Sequence, residues 1–483
     1  MYTVTPLGEL NMQTNKSHYV LLISAITALL VTGFSAKGAT PRVQEIIDER
    51  VEAKFAPAIA LGIVRKDGTT ELYFAGTLQA EGIEEVDEDT IFEIGSISKV
   101  FTTLLMSLME ERGDLEFSDN AQRFLPAGVT MPTKEEISNR SGETFPAHIT
   151  LEHLATHTSG LPRMPSNFSP ANPLNPYEDY KYQQMYDFLS SYELEGDIGR
   201  EIDYSNLGMG LLGHILELQS GKSYEELLIG LVCEPLGMNS TTVKPRLTDA
   251  ARVAGAHIGT TPCSAWDFAA LAGCGAINST VSDMLIFTAA NMGQIDTPMA
   301  SAMRRCHTTR VNSAKSPVKM GLGWHILGQP GAEIIWHNGG TGGFASFMGF
   351  RPDTGEGVVV LTNASYRGVD NIGFHLLDDD HKLDKFQKLV DIDPRILSDY
   401  VGAYTLGPNA IFTIKNENDQ LLAMLTGQPF IPVYPTGRDE FVFTVVDAQL
   451  SFVRNQEGKV DRLVLHQNGR DLEAMKTNET SPE

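Results

Sequence analysis

Ser96-Ile97-Ser98-Lys99 places a hydroxyl and an amine three residues apart at the head of an apolar run, Val100 to Met109. In the first turn of a helix such side chains project from one side. A lysine amine within reach can take the hydroxyl proton, and the helix N-terminus adds partial positive charge where an oxyanion would develop. The chemistry this suits is nucleophilic attack on an acyl carbon. Alone the pair is weak, because serine is a common N-cap. Ser316-Pro317-Val318-Lys319 repeats the spacing in a loop that leads no apolar helix.

Two further groups give the pair partners. Tyr204-Ser205-Asn206, the only Tyr-x-Asn in the chain, lies in a loop before the apolar run "LGMGLLGHIL". A phenol near a lysine can relay protons, and an amide can orient a substrate carbonyl. The bland alternative is a turn capped by Ser205 or Asn206. His337-Asn338-Gly339-Gly340 ends the apolar run "EIIWH". Its glycines let a substrate backbone approach closely, while the histidine offers a proton or a hydrogen bond. His257-Ile258-Gly259 competes for that role from within a helical stretch. His157 is read as part of a turn, and Ser118-Asp119-Asn120 as a turn just past the helix that carries Lys99.

These groups need elements to hold them. "RVQEIIDERVEAKF" reads as a helix with Val43, Ile46, Ile47 and Val51 on one face. "AIALGIVR" and "TELYFAG" read as strands joined through Asp67-Gly68, and "FASFMGFR" and "GVVVLTNAS" as strands joined by Asp353-Thr354-Gly355-Glu356. Between them, Ser96 to about Asn291 is mostly helical, with one loop, "PRMPSNFSPANPLNP", carrying five prolines. The aromatic run "YEDYKYQQMYDF" is read as packing. The arrangement predicts an α/β (α+β) fold: one mainly antiparallel sheet built from both ends, flanked by helices, with an inserted all-helical lobe. The cleft between lobe and sheet is the natural ligand site. From Pro394 the texture changes to about eight short strands, which predicts a small antiparallel β-barrel over 392–476.

The 483 residues suffice for two or three domains. Lys16 followed by the uncharged run Tyr19 to Phe34 and "SAKGA" has the order of a secretory signal. Residues 1–40 are therefore expected to be a leader, 41–385 the domain that carries these motifs, and the protein periplasmic or secreted. An uncleaved leader would be its one membrane association, as an anchor. A net charge of -24 repels phosphate backbones, which argues against nucleic-acid partners. Cys233, Cys263, Cys274 and Cys306 lack the spacing of a zinc site, so no metal or cofactor is expected. In an oxidising compartment Cys263 and Cys274 are the first candidates for a bridge.

Taken in order, the three motifs resemble the serine β-lactamase and penicillin-binding-protein superfamily. The resemblance covers roughly Val43 to Asn363 and is strongest to the branch of class C β-lactamases, DD-carboxypeptidases and esterases. "HTSGLP" at His157 to Pro162 and "GLGW" at Gly321 to Trp324 match it as well. It implies Ser96 as nucleophile, Lys99 as its activator, and Tyr204 as proton relay. Asn206, His337, Gly339 and Gly340 become substrate-binding residues, and the N–H groups of Ser96 and Gly340 form the oxyanion hole. The branch's Lys-Thr-Gly is absent, and neutral His337 in its place puts efficient β-lactamase action in doubt. The substrate class implied is a β-lactam or D-alanyl peptide, with small acyl esters as the alternative and a silent ligand-binding protein as the third reading. The C-terminal barrel is expected to be lipocalin-like, as in peptidase-like and esterase-like relatives.

Overall fold

A computed structural model describes residues 41–79, 82–137, 144–366, 368–385, 387–407, 410–467 and 469–477. The expected leader, 1–40, lies outside the described residues. Helix α1 (Pro41–Glu52) buries Val43, Ile46 and Ile47 as its periodicity requires, and leads into β1 (Ala58–Val64) and β2 (Thr70–Gly76). In the hairpin between them, Gly68 N donates to Arg65 O at 2.9 Å. Helix α2 (Ser98–Glu111) follows, then α3 (Asn206–Ser220) and α4 (Val281–Asn291) of the helical lobe.

The chain then returns to the sheet through β3 (Val311–Asn312), β4 (Lys319–Met320), β5 (His325–Leu327), β6 (Ile334–Gly340), β7 (Ala345–Arg351) and β8 (Glu356–Thr362), and α5 (Gly368–Leu377) follows. The sheet is antiparallel, in the order β2-β1-β8-β7-β6-β5-β4-β3, so strands from both ends of this region meet at β1 and β8. Strand β1 is buried throughout because both faces are covered. Ile59, Leu61 and Ile63 join the core under α1 and α5, whereas Ala58, Ala60 and Val64 join the core shared with α2 and α4. That alternation is the two-residue period of a strand, with apolar partners on each side.

Helix α2 occupies the middle of the larger core and is buried from Ser98 to Met109. Phe101 stacks on Phe287 of α4 with ring centroids 4.0 Å apart, an arrangement worth about 1 kcal/mol beyond area burial. The region expected to be mostly helical also holds short strand pairs, among them His257–Ile258 with Thr261–Pro262. The competing His257 motif is thus on a two-residue strand, and its imidazole Nδ1 bonds Asn363 O at 3.0 Å.

The C-terminal part forms a nine-stranded antiparallel sheet, one strand more than expected. Its strands are β9 (Gly402–Gly407), β10 (Ala410–Glu417), β11 (Gln420–Leu425), β12 (Ile431–Pro432), β13 (Tyr434–Pro435), β14 (Glu440–Val442), β15 (Ala448–Arg454), β16 (Val460–Gln467) and β17 (Arg470–Thr477). The order β12-β11-β10-β9-β17-β16-β15-β14-β13 puts β12 and β13, neighbours in sequence, at its two ends, so the sheet curls almost closed. Tyr400, Tyr404, Phe412, Leu450, Phe452 and Leu463 fill its core.

Tyr434 and Val442 belong to a different core. They are buried with Tyr366, Val369 and Leu389 beneath the main sheet. The Tyr434 hydroxyl donates to the Ile258 carbonyl and lies 3.0 Å from Thr261 Oγ1. The barrel is therefore packed onto the part that holds the main sheet, through apolar and polar contacts.

Candidate active site

Ser96 sits in a single turn of 3-10 helix, Gly95–Ile97, and α2 proper begins two residues later at Ser98. The nucleophile candidate is therefore at the tip of the helix rather than within its first turn, half-buried and facing a cleft. That tip is clamped against β6. A Cβ on Gly95, whose φ is +50°, would come within 2.7 Å of Gly340 N, and one on Gly339 within 1.9 Å of Ile94 O. Only glycine at both positions lets turn and strand approach this closely. Ser346 Oγ of β7 donates to Ile94 O at 2.8 Å and holds the turn from beneath.

Lys99 is fully buried. Its Nζ donates to Ser96 Oγ at 2.9 Å and to the Cys274 carbonyl at 2.7 Å, which leaves it within proton-transfer distance of the hydroxyl. The same Nζ lies 4.8 Å from the centroid of the Tyr204 ring. The cysteines expected to pair do not. All four are free thiols, and Cys263 Sγ donates to the Gly342 carbonyl at 3.5 Å. The segment of Cys274 instead packs under α2 and lends its carbonyl to Lys99.

Tyr204, Ser205 and Asn206 form the entry to α3. Ser205 caps the helix by accepting from Gly208 N at 2.8 Å. The "HTSGLP" segment and the arginine after it fasten this loop. Ser205 N donates to His157 Nδ1 at 3.1 Å, Ser205 Oγ donates to Pro162 O at 2.7 Å, and Asn206 N donates to Arg163 O at 3.0 Å. His157 is thus a positioning residue, as its reading as a turn implies. Burial holds it well below the usual histidine range, with the Lys99 charge adding to the effect. Because its Nδ1 accepts a hydrogen bond, the proton of the neutral ring is on Nε2.

Asn206 Nδ2 donates to Tyr177 OH at 3.2 Å, while Oδ1 is buried with no hydrogen-bond partner among the described residues. The aromatic run read as packing does pack, since Tyr180, Met185 and Phe188 are buried, but its Tyr177 hydroxyl also orients the Asn206 amide.

His337 is fully buried behind β6 instead of lining the open wall, which Asn338, Gly339, Gly340 and Thr341 form. Its Nδ1–H donates to the Asn338 carbonyl at 2.6 Å, and Nε2 carries a buried lone pair without a donor. Burial, then the charges of its neighbours, hold it well below the ordinary histidine range.

Sequence reasoning missed a second imidazole here. His325 on β5 lies 4.8 Å from His337 and 6.4 Å from Tyr204 between ring centroids, and burial lowers it to about 4. His157 completes the group, 4.4 Å from Tyr204. Tyr204 is thus surrounded by three uncharged rings near neutral pH. His325 directly follows "GLGW", which is the signal that could have found it.

The cleft has a volume of about 640 Å³. Besides Ser96, Tyr204, His325 and the β6 wall it is lined by Arg163, Tyr366, Val369 and Asp370, and by Val445 from the loop between β14 and β15 of the barrel. Asn338 Nδ2 donates to Asp370 Oδ2 at 2.6 Å. The other Ser-x-x-Lys does not assemble. Ser316 lines a neighbouring hollow behind Tyr204, but its Oγ accepts from Val318 N at 3.1 Å, and Lys319 Nζ donates to Gly328 O at 3.2 Å. Ser118-Asp119-Asn120 is a turn outside the cleft, with Asn120 capping the next 3-10 helix. Among the described residues no cluster of metal-ligating side chains occurs.

A hydroxyl, an amine and a phenol beside a glycine-rich strand, within this fold, define a serine hydrolase. The comparisons place it. Residues 43–379 match the family described as "Beta-lactamase", and the chain belongs to that family. Residues 387–478 match a domain of unknown function, DUF3471, so the lipocalin-like expectation gains no support there. "Penicillin-binding protein 4*" of Bacillus subtilis (strain 168) is 26% identical over 449 residues, covering 86% of this chain and 94% of its own. The "D-alanyl-D-alanine-carboxypeptidase/endopeptidase AmpH" of Escherichia coli (strain K12) is 28% identical over 367 residues, covering 71% of this chain and 91% of its own. A class C β-lactamase structure from Rhodobacter sphaeroides superposes with a TM-score of 0.58 at 23% identity, over 68% of this chain and 96% of that one.

Proposed function

We propose that the protein is an exported serine hydrolase that forms an acyl-enzyme on Ser96 and opens amide bonds of the D-alanyl-peptide or β-lactam type. The contact between buried Lys99 and Ser96 Oγ, at the tip of α2 against β6, carries this reading. Ser96 Oγ attacks the carbonyl carbon while its proton passes to Lys99 or, through Lys99, to Tyr204. The oxyanion is received by the N–H groups of Ser96 and Gly340. The C–N bond then breaks, the leaving nitrogen takes the proton, and water, deprotonated by Tyr204, attacks the ester and releases Ser96. Asn206 Oδ1 accepts from the substrate amide. His337 and His325 surround the phenol with uncharged groups.

Export is supported by the order of charged, apolar and small residues before position 40, and it places the protein in the periplasm or outside the cell. Among the described residues no helix is long and apolar enough to cross a membrane.

Incubation with a fluorescent penicillin followed by intact-mass measurement is expected to give one adduct, mapped to Ser96. Rapid turnover of p-nitrophenyl esters without such an adduct would establish the esterase reading instead. No adduct with any acylating probe would leave only ligand binding.

A further inference from the structure

The sequence lacks the lysine that the resemblance leads one to expect on β6, and the structure shows what that leaves. The three histidines around Tyr204 are held uncharged by burial. Lys99 is inside the protein, bonded to Ser96 Oγ and a carbonyl. Among the described residues that line the cleft, Arg163 is the only lysine or arginine. It is also exposed. Arg310 pairs with Glu152 at 3.1 Å, and Arg65 is shared by Glu71 and Glu356, but no carboxylate lies within ion-pair distance of Arg163 among the described residues. Its guanidinium carbon lies 5.1 Å from the centroid of the Tyr204 ring, and its carbonyl receives the N–H groups of Asn206 and Leu207. The backbone is therefore fixed and the side chain braced on an aromatic face, with its donors open to the cleft.

We propose that Arg163 is the anion-binding residue of this cleft and holds a carboxylate of the substrate by a charge-assisted, two-pronged contact beside Tyr204. The proposal rests on the acyl-enzyme reading above and narrows it: the substrates turned over best carry a carboxylate near the scissile bond, and neutral esters are poor ones. The positive charge that the resemblance leads one to expect on the strand is supplied here from the loop after "HTSGLP".

The test compares acylation of Ser96 in the full chain by benzylpenicillin and by its methyl ester, with rates read from intact mass. Wild type is expected to react about tenfold or more faster with the free acid, the effect of one charge-assisted hydrogen bond. Arg163→Ala removes that preference, Arg163→Lys restores part of it, and added salt erodes it in wild type. Equal slowing of both compounds in Arg163→Ala would make Arg163 only a brace for Tyr204 and overturn the proposal, as would a preference that survives the substitution. Failure of both compounds to label Ser96 in wild type defeats the acyl-enzyme reading itself, a result distinct from labelling without preference.

Discussion

On one side of the cleft Lys99 has two fixed partners, the Ser96 hydroxyl and the Cys274 carbonyl. Around Tyr204, Asn206 Oδ1, His157 Nε2 and His337 Nε2 are buried with none among the described residues. A buried polar atom left unmade costs about 1–3 kcal/mol. The satisfied side keeps the reactive pair in place whether or not a ligand is present. On the other side, the fully buried His157 and His337 keep the surroundings of Tyr204 uncharged, and Asn206 Oδ1 is the atom proposed to meet a ligand donor. On the proposed function, reactivity and selectivity are thus divided between a finished side and a waiting one.

The strongest way to break that division is Ser96→Ala. Turnover is expected to fall by about 10⁴ or more with the melting temperature near that of wild type, since the residue is half-buried at a helix tip. A variant that keeps its rate in a steady-state assay would move the nucleophile elsewhere. His337→Lys puts an amine behind the β6 wall, close to Tyr204. It is expected to raise β-lactam turnover relative to ester turnover by about tenfold while lowering stability, because a second ammonium is then buried near Lys99. An unchanged ratio in a two-substrate assay would mean that residue 337 does not set preference.

Asn206→Ala sharpens the contrast. It is expected to raise KM for amide substrates by about tenfold and to cost only about 1 kcal/mol of unfolding free energy, because the Nδ2 bond to Tyr177 OH is lost while Oδ1 had no partner to lose. A large loss of stability in urea titration would show that Oδ1 is satisfied in solution.

The least site-specific effect is that of pH. His157 and His337 are held well below 6.5, His325 at about 4 and His307 at about 3, so the unfolded chain binds protons that the folded chain does not. Stability is expected to fall as pH drops from 6.5 toward 4, by up to about 1.4 kcal/mol per pH unit for each such ring. Burial raises Glu93 to about 7, which gives the opposite slope between its ordinary value of 4.5 and 7. Burial also lowers His257 and raises Asp283, and five rings outweigh two carboxyls. Urea midpoints at pH 7.5, 6 and 5 that do not decline would contradict this.

The assembly of Ser96, Lys99, Tyr204 and the β6 glycines around one cleft was legible in sequence because types, spacing and the alternation of apolar runs are local signals. Both hairpins beside the central strands were legible for the same reason. Arg163 and His325 were not, since nothing local shows that the loop after "HTSGLP" and the end of "GLGW" converge on one phenol. The run "FIPVY" reads as one strand, yet Val433 separates it into β12 and β13 at opposite ends of a curled sheet. Chain closure decides that, and composition does not record it. The cysteines misled for a related reason: separation along the chain says little about whether Cys274 faces a partner thiol or the interior.

Tyr434 and Val442 bury against Tyr366 and Val369, and Val445 reaches the cleft itself. A gene trimmed just after α5 would therefore encode a hydrolase with a bare greasy seam and one flank of its binding surface missing. Any effort to shorten this protein for production or crystallography has to cut beyond the last strand instead of at the linker.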